Sequence, residues 1–232
     1  MKPGRAEQGA PDGKAPVGVK ICGITTELAL QAACATQADW IGLVFYDRSP
    51  RHITPASAQN LLARHQGATP DLVGLFVKPD DRAIEAALDA CALDVLQIYD
   101  TPERASAIRE KFGRPVWLSC PVTTKDDLPR ANDVDALVIE PRAPASAANP
   151  GGNGLRLDWN VFRDWLAPSP WMLAGGLTPD NVGQAIAESG ARFVDVSSGV
   201  ETAPGQKSAS LIRNFVKNAR TPYRSPCAPH KN

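Results

Sequence analysis

The chain has 232 residues, 43% of them hydrophobic and 22% charged, with 25 Lys and Arg against 25 Asp and Glu. Wholesale disorder is excluded by that composition, and a formal net charge of zero argues against bulk electrostatic binding to nucleic acid or to a membrane surface. The longest uncharged stretch, 165–179, carries three prolines and is too short for a helix across a bilayer.

Residues 1–17 are rich in Gly, Pro and charge, with neither an apolar period nor the apolar core of a signal peptide, and read as a disordered arm. From there, short apolar runs rich in β-branched residues alternate with helical patterns. Strands are predicted over 19–23, 40–45, 72–77, 95–99, 115–122, 136–140, 171–175 and 193–197. Helices are predicted over 26–36, 55–65, 80–91, 102–112, 125–132, 159–166, 179–189 and 208–219. Thr54-Pro55, Thr101-Pro102 and Thr178-Pro179 offer an N-cap followed by proline in the first turn, and Thr124 offers a cap with acidic residues after it. Residues 220–232 read as a flexible tail. Eight strand–helix repeats in a single domain over 18–219 predict a closed (β/α)8 TIM barrel. An open doubly wound sheet is the alternative, but no G-x-G-x-x-G follows the first strand. The 141–157 segment is longer than an ordinary βα connection, and is either a lid or a solvated insertion.

The five cysteines (Cys22, Cys34, Cys91, Cys120, Cys227) show no C-x-x-C spacing. They suggest neither a metal site nor a disulfide framework, and fit a reducing, cytoplasmic setting.

Barrels of this kind carry their chemistry at the C-terminal ends of the strands. Those positions hold Cys22, Arg51, Tyr99, Glu140, Gly175-Gly176 and Ser197-Ser198-Gly199. The glycine and serine turns after strands seven and eight are either plain tight turns or a backbone cradle for phosphate. Cys22 is either an inert buried thiol or a base. Lys20, two residues earlier, shares its face and is expected to lower the thiol pKa, unless it serves only to pair Asp195 on the adjoining eighth strand. Arg51 is either a solvated loop charge or a bidentate partner for a substrate carboxylate. Glu140 ends an apolar strand. It is either exposed there, or buried and raised in pKa so that it can act as an acid.

These residues carry a resemblance. Val19-Lys20-Ile21-Cys22-Gly23-Ile24-Thr25 resembles the opening signature of phosphoribosylanthranilate isomerases. The likeness continues through Gly42-Leu43-Val44-Phe45-Tyr46, Ser49-Pro50-Arg51, Gly74-Leu75-Phe76-Val77 and Pro150-Gly151-Gly152-Asn153-Gly154. It ends with Asp158-Trp159, Leu173-Ala174-Gly175-Gly176-Leu177, Asp195-Val196-Ser197-Ser198-Gly199-Val200-Glu201 and Pro204-Gly205. The resemblance implies an Amadori rearrangement in tryptophan biosynthesis, without cofactor or metal. It makes Cys22 the base and puts Glu140 at the acid's position; the residues themselves add Arg51, Tyr99 and Asp195 as substrate contacts and Gly175, Gly176, Ser197, Ser198 and Gly199 as the phosphate site. The implied partner is a small phosphosugar, and the implied assembly a monomer or homodimer.

Two positions depart from the family pattern. Glu140 stands where the family usually has aspartate, and Tyr99-Asp100 where it has His-Gly; Tyr99 is expected to stack on or hydrogen-bond the anthranilate ring. The competing readings are a non-catalytic or altered-specificity phosphosugar-binding barrel, and a related phosphosugar reaction such as indoleglycerol-phosphate synthesis. That last enzyme's catalytic Lys and Glu residues are missing here.

Overall fold

Alternation along eight strands decides which side chains fill the barrel and which meet the helices. The structure is a computed structural model that describes residues 16–144, 151 and 154–223. Most of the expected arm and tail, the centre of the 141–157 loop and Cys227 lie outside the described residues.

The strands are β1 (Gly18–Cys22), β2 (Trp40–Val44), β3 (Asp71–Val77), β4 (Val95–Tyr99), β5 (Val116–Val122), β6 (Ala136–Pro141), β7 (Trp171–Leu173) and β8 (Phe193–Val196). They pair in chain order, all parallel, and β1 closes onto β8 with Lys20 opposite Asp195. The closed barrel stands, and the open sheet does not.

Successive side chains point to opposite faces of a strand. Val19, Ile21, Ile41, Leu43, Phe76, Leu96 and Ile98 accordingly pack outward in the main core with the helices. Trp40, Val73, Val95, Trp117, Val138 and Met172 form a second cluster inside the barrel. Trp40 and Trp117 meet there edge to face at 5.4 Å between ring centroids, and Phe193 packs on Trp40 at 5.7 Å. Further along the strands lie buried Lys20, Gln97, Ser119 and Asp195, and beyond them Cys22, Val44 and Leu75 with Tyr99 against them. The barrel is apolar at its lower end and becomes polar towards its mouth.

Helices α1 (Glu27–Ala35), α2 (Pro55–Arg64), α3 (Asp81–Ala90) and α4 (Pro102–Phe112) follow the first four strands. Thr54 and Thr101 cap α2 and α4 as expected, accepting from the backbone N–H of Ser57 and Arg104. Three expectations fail. After β5 only a 3-10 turn forms, Lys125–Asp127, because Pro129 stops a helix and the Asp127 carboxylate draws in the N–H groups of Thr123 and Thr124 at 2.9 Å each. After β6 another short turn, Trp159–Phe162, ends before Asp164, whose φ of 59° is left-handed. The 179–189 helix starts later, as α5 (Val182–Ser189): Asn181 precedes it and holds the Thr178 N–H at 2.8 Å, so Thr178-Pro179 is not its cap.

A hairpin that the sequence reading missed, β9 (Glu201–Ala203) with β10 (Gln206–Lys207), follows β8 and leads into α6 (Ala209–Arg220). The domain limits also shift slightly. Val17, read as part of the arm, packs on the core. Arg220, read as the first residue of the tail, ends α6 and donates to the carbonyls of Val17, Thr36 and Gln37 and to Asp39 Oδ2. One guanidinium thus ties the last helix to the entry of β1 and the exit of α1. Arg220→Ala is expected to destabilise the fold by about 2 kcal/mol, the scale of lost charge-assisted hydrogen bonds. Urea unfolding reads this as a lower midpoint with an unchanged slope.

Candidate active site

Of the residues singled out from the sequence, Cys22, Arg51, Tyr99, Glu140, Gly175, Gly176, Asp195, Ser197 and Ser198 line one pocket at the barrel mouth. Val44, Leu75 and Val77 supply an apolar wall to the same pocket. Gly199 does not line it but shapes the turn beside it.

Lys20 is fully buried, and its Nζ donates to Asp195 Oδ1 at 3.1 Å. Burial penalises the ammonium and is the largest single effect, yet Asp195 and Cys22 together, by charge and hydrogen bonding, outweigh it and hold the Lys20 pKa above its ordinary value. Cys22 lies at the end of β1, opposite Gly42, and a Cβ at Gly42 would fall 2.8 Å from its Sγ. Only a bare backbone leaves the sulfur its room. The expected lowering of the thiol pKa does not occur. Burial pushes the Cys22 pKa up, and Lys20 and Lys207 only partly oppose it. The resting group is a thiol.

Glu140 is buried, not an exposed strand-end carboxylate. Burial drives its pKa up to about 8; donation from Tyr99 works against that rise, while Asp195 adds to it. The Tyr99 hydroxyl donates to Glu140 Oε2 at 3.0 Å, and Oε1 is buried with no hydrogen-bond partner among the described residues. Tyr99 therefore engages the carboxyl, a contact the sequence reading did not foresee.

Arg51 is buried too, which removes the solvated-charge reading. Its Nε and Nη2 each donate at 2.8 Å to the two oxygens of Glu201 on the hairpin. Lys207, also on the hairpin, reaches Glu201 Oε1 at 2.6 Å and the Ser197 carbonyl at 3.0 Å. Burial opposes ionisation of Glu201, but Arg51 and Lys207 overcome it and hold that carboxyl below its ordinary pKa. The hairpin thus fixes the guanidinium plane by a bidentate pair while Arg51 lines the pocket.

The turns after β7 and β8 need glycine. Gly175 and Gly176 have φ of 86° and 63°, and a Cβ on Gly176 would fall 2.6 Å from the Leu155 carbonyl oxygen. A Cβ on Gly199 would overlap the Leu177 carbonyl oxygen, so these two turns pack backbone to backbone. Ser197 ties its hydroxyl to the Cys22 carbonyl at 3.2 Å, linking the β8 turn to the thiol strand. Among the described residues, no group of three or more His, Cys, Asp or Glu gathers as metal ligands.

Residues 19–218 match the family model described as N-(5'phosphoribosyl)anthranilate (PRA) isomerase. The chain belongs to this family. A relative from Acidiphilium cryptum (strain JF-5), an N-(5'-phosphoribosyl)anthranilate isomerase, is 49% identical over 201 residues, covering 86% of this chain and 97% of that one. The crystal structure of the phosphoribosyl anthranilate isomerase from Thermotoga maritima superposes with a TM-score of 0.77 at 30% identity, covering 88% and 98% of the two chains. Another phosphoribosyl anthranilate isomerase structure, in complex with reduced 1-(o-carboxyphenylamino)-1-deoxyribulose 5-phosphate, gives 0.74 at 29% identity with the same coverage.

Sequence reasoning missed the role of Lys207, because a lysine in a two-residue strand gives no signal of burial. It quoted Glu201 only as part of a motif, and its spacing from Arg51 says nothing of their contact. A chemical test of the thiol follows from its raised pKa. Alkylation of Cys22 by iodoacetamide, read by peptide mass spectrometry, is expected to be slow at neutral pH. It should climb only above the ordinary thiol range, because thiolate is the reacting form. Rapid labelling at pH 7 would contradict the burial argument.

Proposed function

We propose that this chain converts N-(5-phosphoribosyl)anthranilate to 1-(2-carboxyphenylamino)-1-deoxyribulose 5-phosphate in tryptophan biosynthesis, with Glu140 as acid and Cys22 as base. The observation that carries this reading is a carboxyl with a pKa of about 8 facing the same pocket as a lysine-flanked thiol. At neutral pH Glu140 is mostly protonated and can donate.

In the reaction, Glu140 gives its proton to the furanose ring oxygen and the C1–O bond breaks. The nitrogen lone pair forms the C1=N bond of a protonated Schiff base. Cys22, as thiolate, then takes the C2 proton, and the freed electron pair makes the C1=C2 bond while the iminium charge is discharged onto nitrogen. Tautomerisation of the resulting enaminol gives the ketose. Lys20 and Lys207 stabilise the thiolate during this step. The phosphate sits at the Gly175-Gly176 and Ser197-Ser198 turns, with Gly199 letting the two approach, and the anthranilate carboxylate faces Arg51. Asp195, which lines the pocket while pairing with Lys20, contacts the substrate from the barrel floor. Free thiols among the described cysteines support a cytoplasmic setting, and the barrel works as a monomer or homodimer, with no nucleic acid or membrane involved.

The productive form needs Glu140 protonated and Cys22 ionised, although Glu140 has the lower pKa. That form is a minor one, and the two titrations exchange their usual places in the pH profile. The value of kcat/KM should rise with pH until Glu140 titrates near 8, stay level, and fall only once the thiol titrates. Glu140→Gln should lower turnover by roughly a hundred- to ten-thousandfold. It should also abolish the break near 8, leaving only the thiol titration. Wild-type rates in this variant would leave a phosphosugar-binding or differently catalysing barrel as the better reading.

A further inference from the structure

We propose that Tyr99 is a positioning residue for the proton of Glu140: its hydroxyl occupies Oε2 and so puts the acid proton on Oε1. This inference rests on the assignment of Glu140 as the acid. Tyr99 ends β4 and Glu140 stands near the end of β6, with β5 between them. The hydroxyl donates to Oε2 at 3.0 Å, while Oε1 is left without a partner. Gly151 closes against this contact: a Cβ there would lie 2.7 Å from Tyr99 Oη and 2.8 Å from Glu140 Oε2.

A phenol has one proton to give. Burial, followed by the Glu140 charge, pushes the Tyr99 pKa well above 10, so Tyr99 keeps that proton and stays a donor through the working range. With Oε2 accepting, the proton of the neutral carboxyl belongs on the other oxygen. Once Glu140 has given that proton away, the Tyr99 bond becomes charge-assisted and shorter, and it stabilises the carboxylate. Tyr99 thereby both aims the acid and strengthens it.

The charged and titratable neighbours do not supply the same effect. From β1 come Lys20 and Cys22, and from β8 Asp195, which pairs with Lys20. From β5 comes Cys120, pushed up to about 12 and hence neutral. Arg51, beside the same pocket, is held by Glu201. Ser119, also on β5, is a second neutral hydroxyl that lowers the Glu140 pKa, but its effect is smaller than that of Tyr99, which is therefore the neutral group whose loss moves the Glu140 titration most.

The test is kcat/KM against pH for wild type, Tyr99→Phe, Glu140→Gln and the double variant. Tyr99→Phe should move the break near 8 up by about one pH unit, the size of a lost hydrogen bond to a charged group. Below the break the active population depends on the thiol alone, so a loss of about tenfold there reports the chemical step. In the Glu140→Gln background the same change should cost little more. Gly151→Ala, which crowds the pair, should move the break in the same direction. A break left in place in both Tyr99→Phe and Gly151→Ala, with Glu140→Gln inactive, overturns the role of Tyr99 and leaves Glu140 as the acid. Wild-type rates in Glu140→Gln overturn the acid itself, and this inference with it.

Discussion

The buried ion pair of Lys20 with Asp195 sits where the barrel closes on itself. The two residues are register partners across β1 and β8, the first and last strands of the chain order. Charges taken out of water are costly unless matched, and an unmatched one costs more still. A slip of one residue at this seam would turn both side chains to the wrong face and strand an ammonium among the apolar helices. The same pair places a fixed positive charge two residues below Cys22 without giving the pocket a net charge of its own.

From that seam the mouth is built as paired opposites. Arg51 is matched by Glu201, and Glu201 by Lys207, which in turn holds the Ser197 carbonyl. The guanidinium and the β8 turn therefore hang on one short hairpin. Across the pocket, the Glu140 carboxyl has no ion pair among the described residues and burial holds its pKa up, with Tyr99 donating to it and outweighing the smaller effects of Lys20 and Ser119. Two buried carboxyls are thus treated in opposite ways: cations hold the pKa of Glu201 down, and burial without an ion pair holds that of Glu140 up.

Much of this was legible in the sequence, for physical reasons. The eight strands announced themselves through β-branched runs bounded by caps and turns, and the Lys20–Asp195 contact followed from period-two alternation in a closed barrel. Pro129 and Asp164 defeated two helix expectations, since a local backbone constraint outweighs an apolar pattern. The hairpin was too short to show any period. The sign of the thiol shift was misjudged because sequence reveals that a lysine is near, but not that both groups are buried, and here desolvation is the larger effect. The departures at Tyr99 and Glu140 were read as two unconnected changes. In the structure they touch, so the longer carboxyl and the phenol form one unit.

The tryptophans at the lower end carry a consequence for water. Trp40 and Trp117 fill the barrel interior edge to face, and both are less than a tenth exposed. Above them Lys20 is sealed entirely. Among the described residues, packing of this kind leaves little room for a chain of water through the floor. Whatever Cys22 and Glu140 exchange with the surroundings must come and go by the mouth that admits the substrate. The barrel is a blind-ended vessel, and a bound ligand is also its stopper.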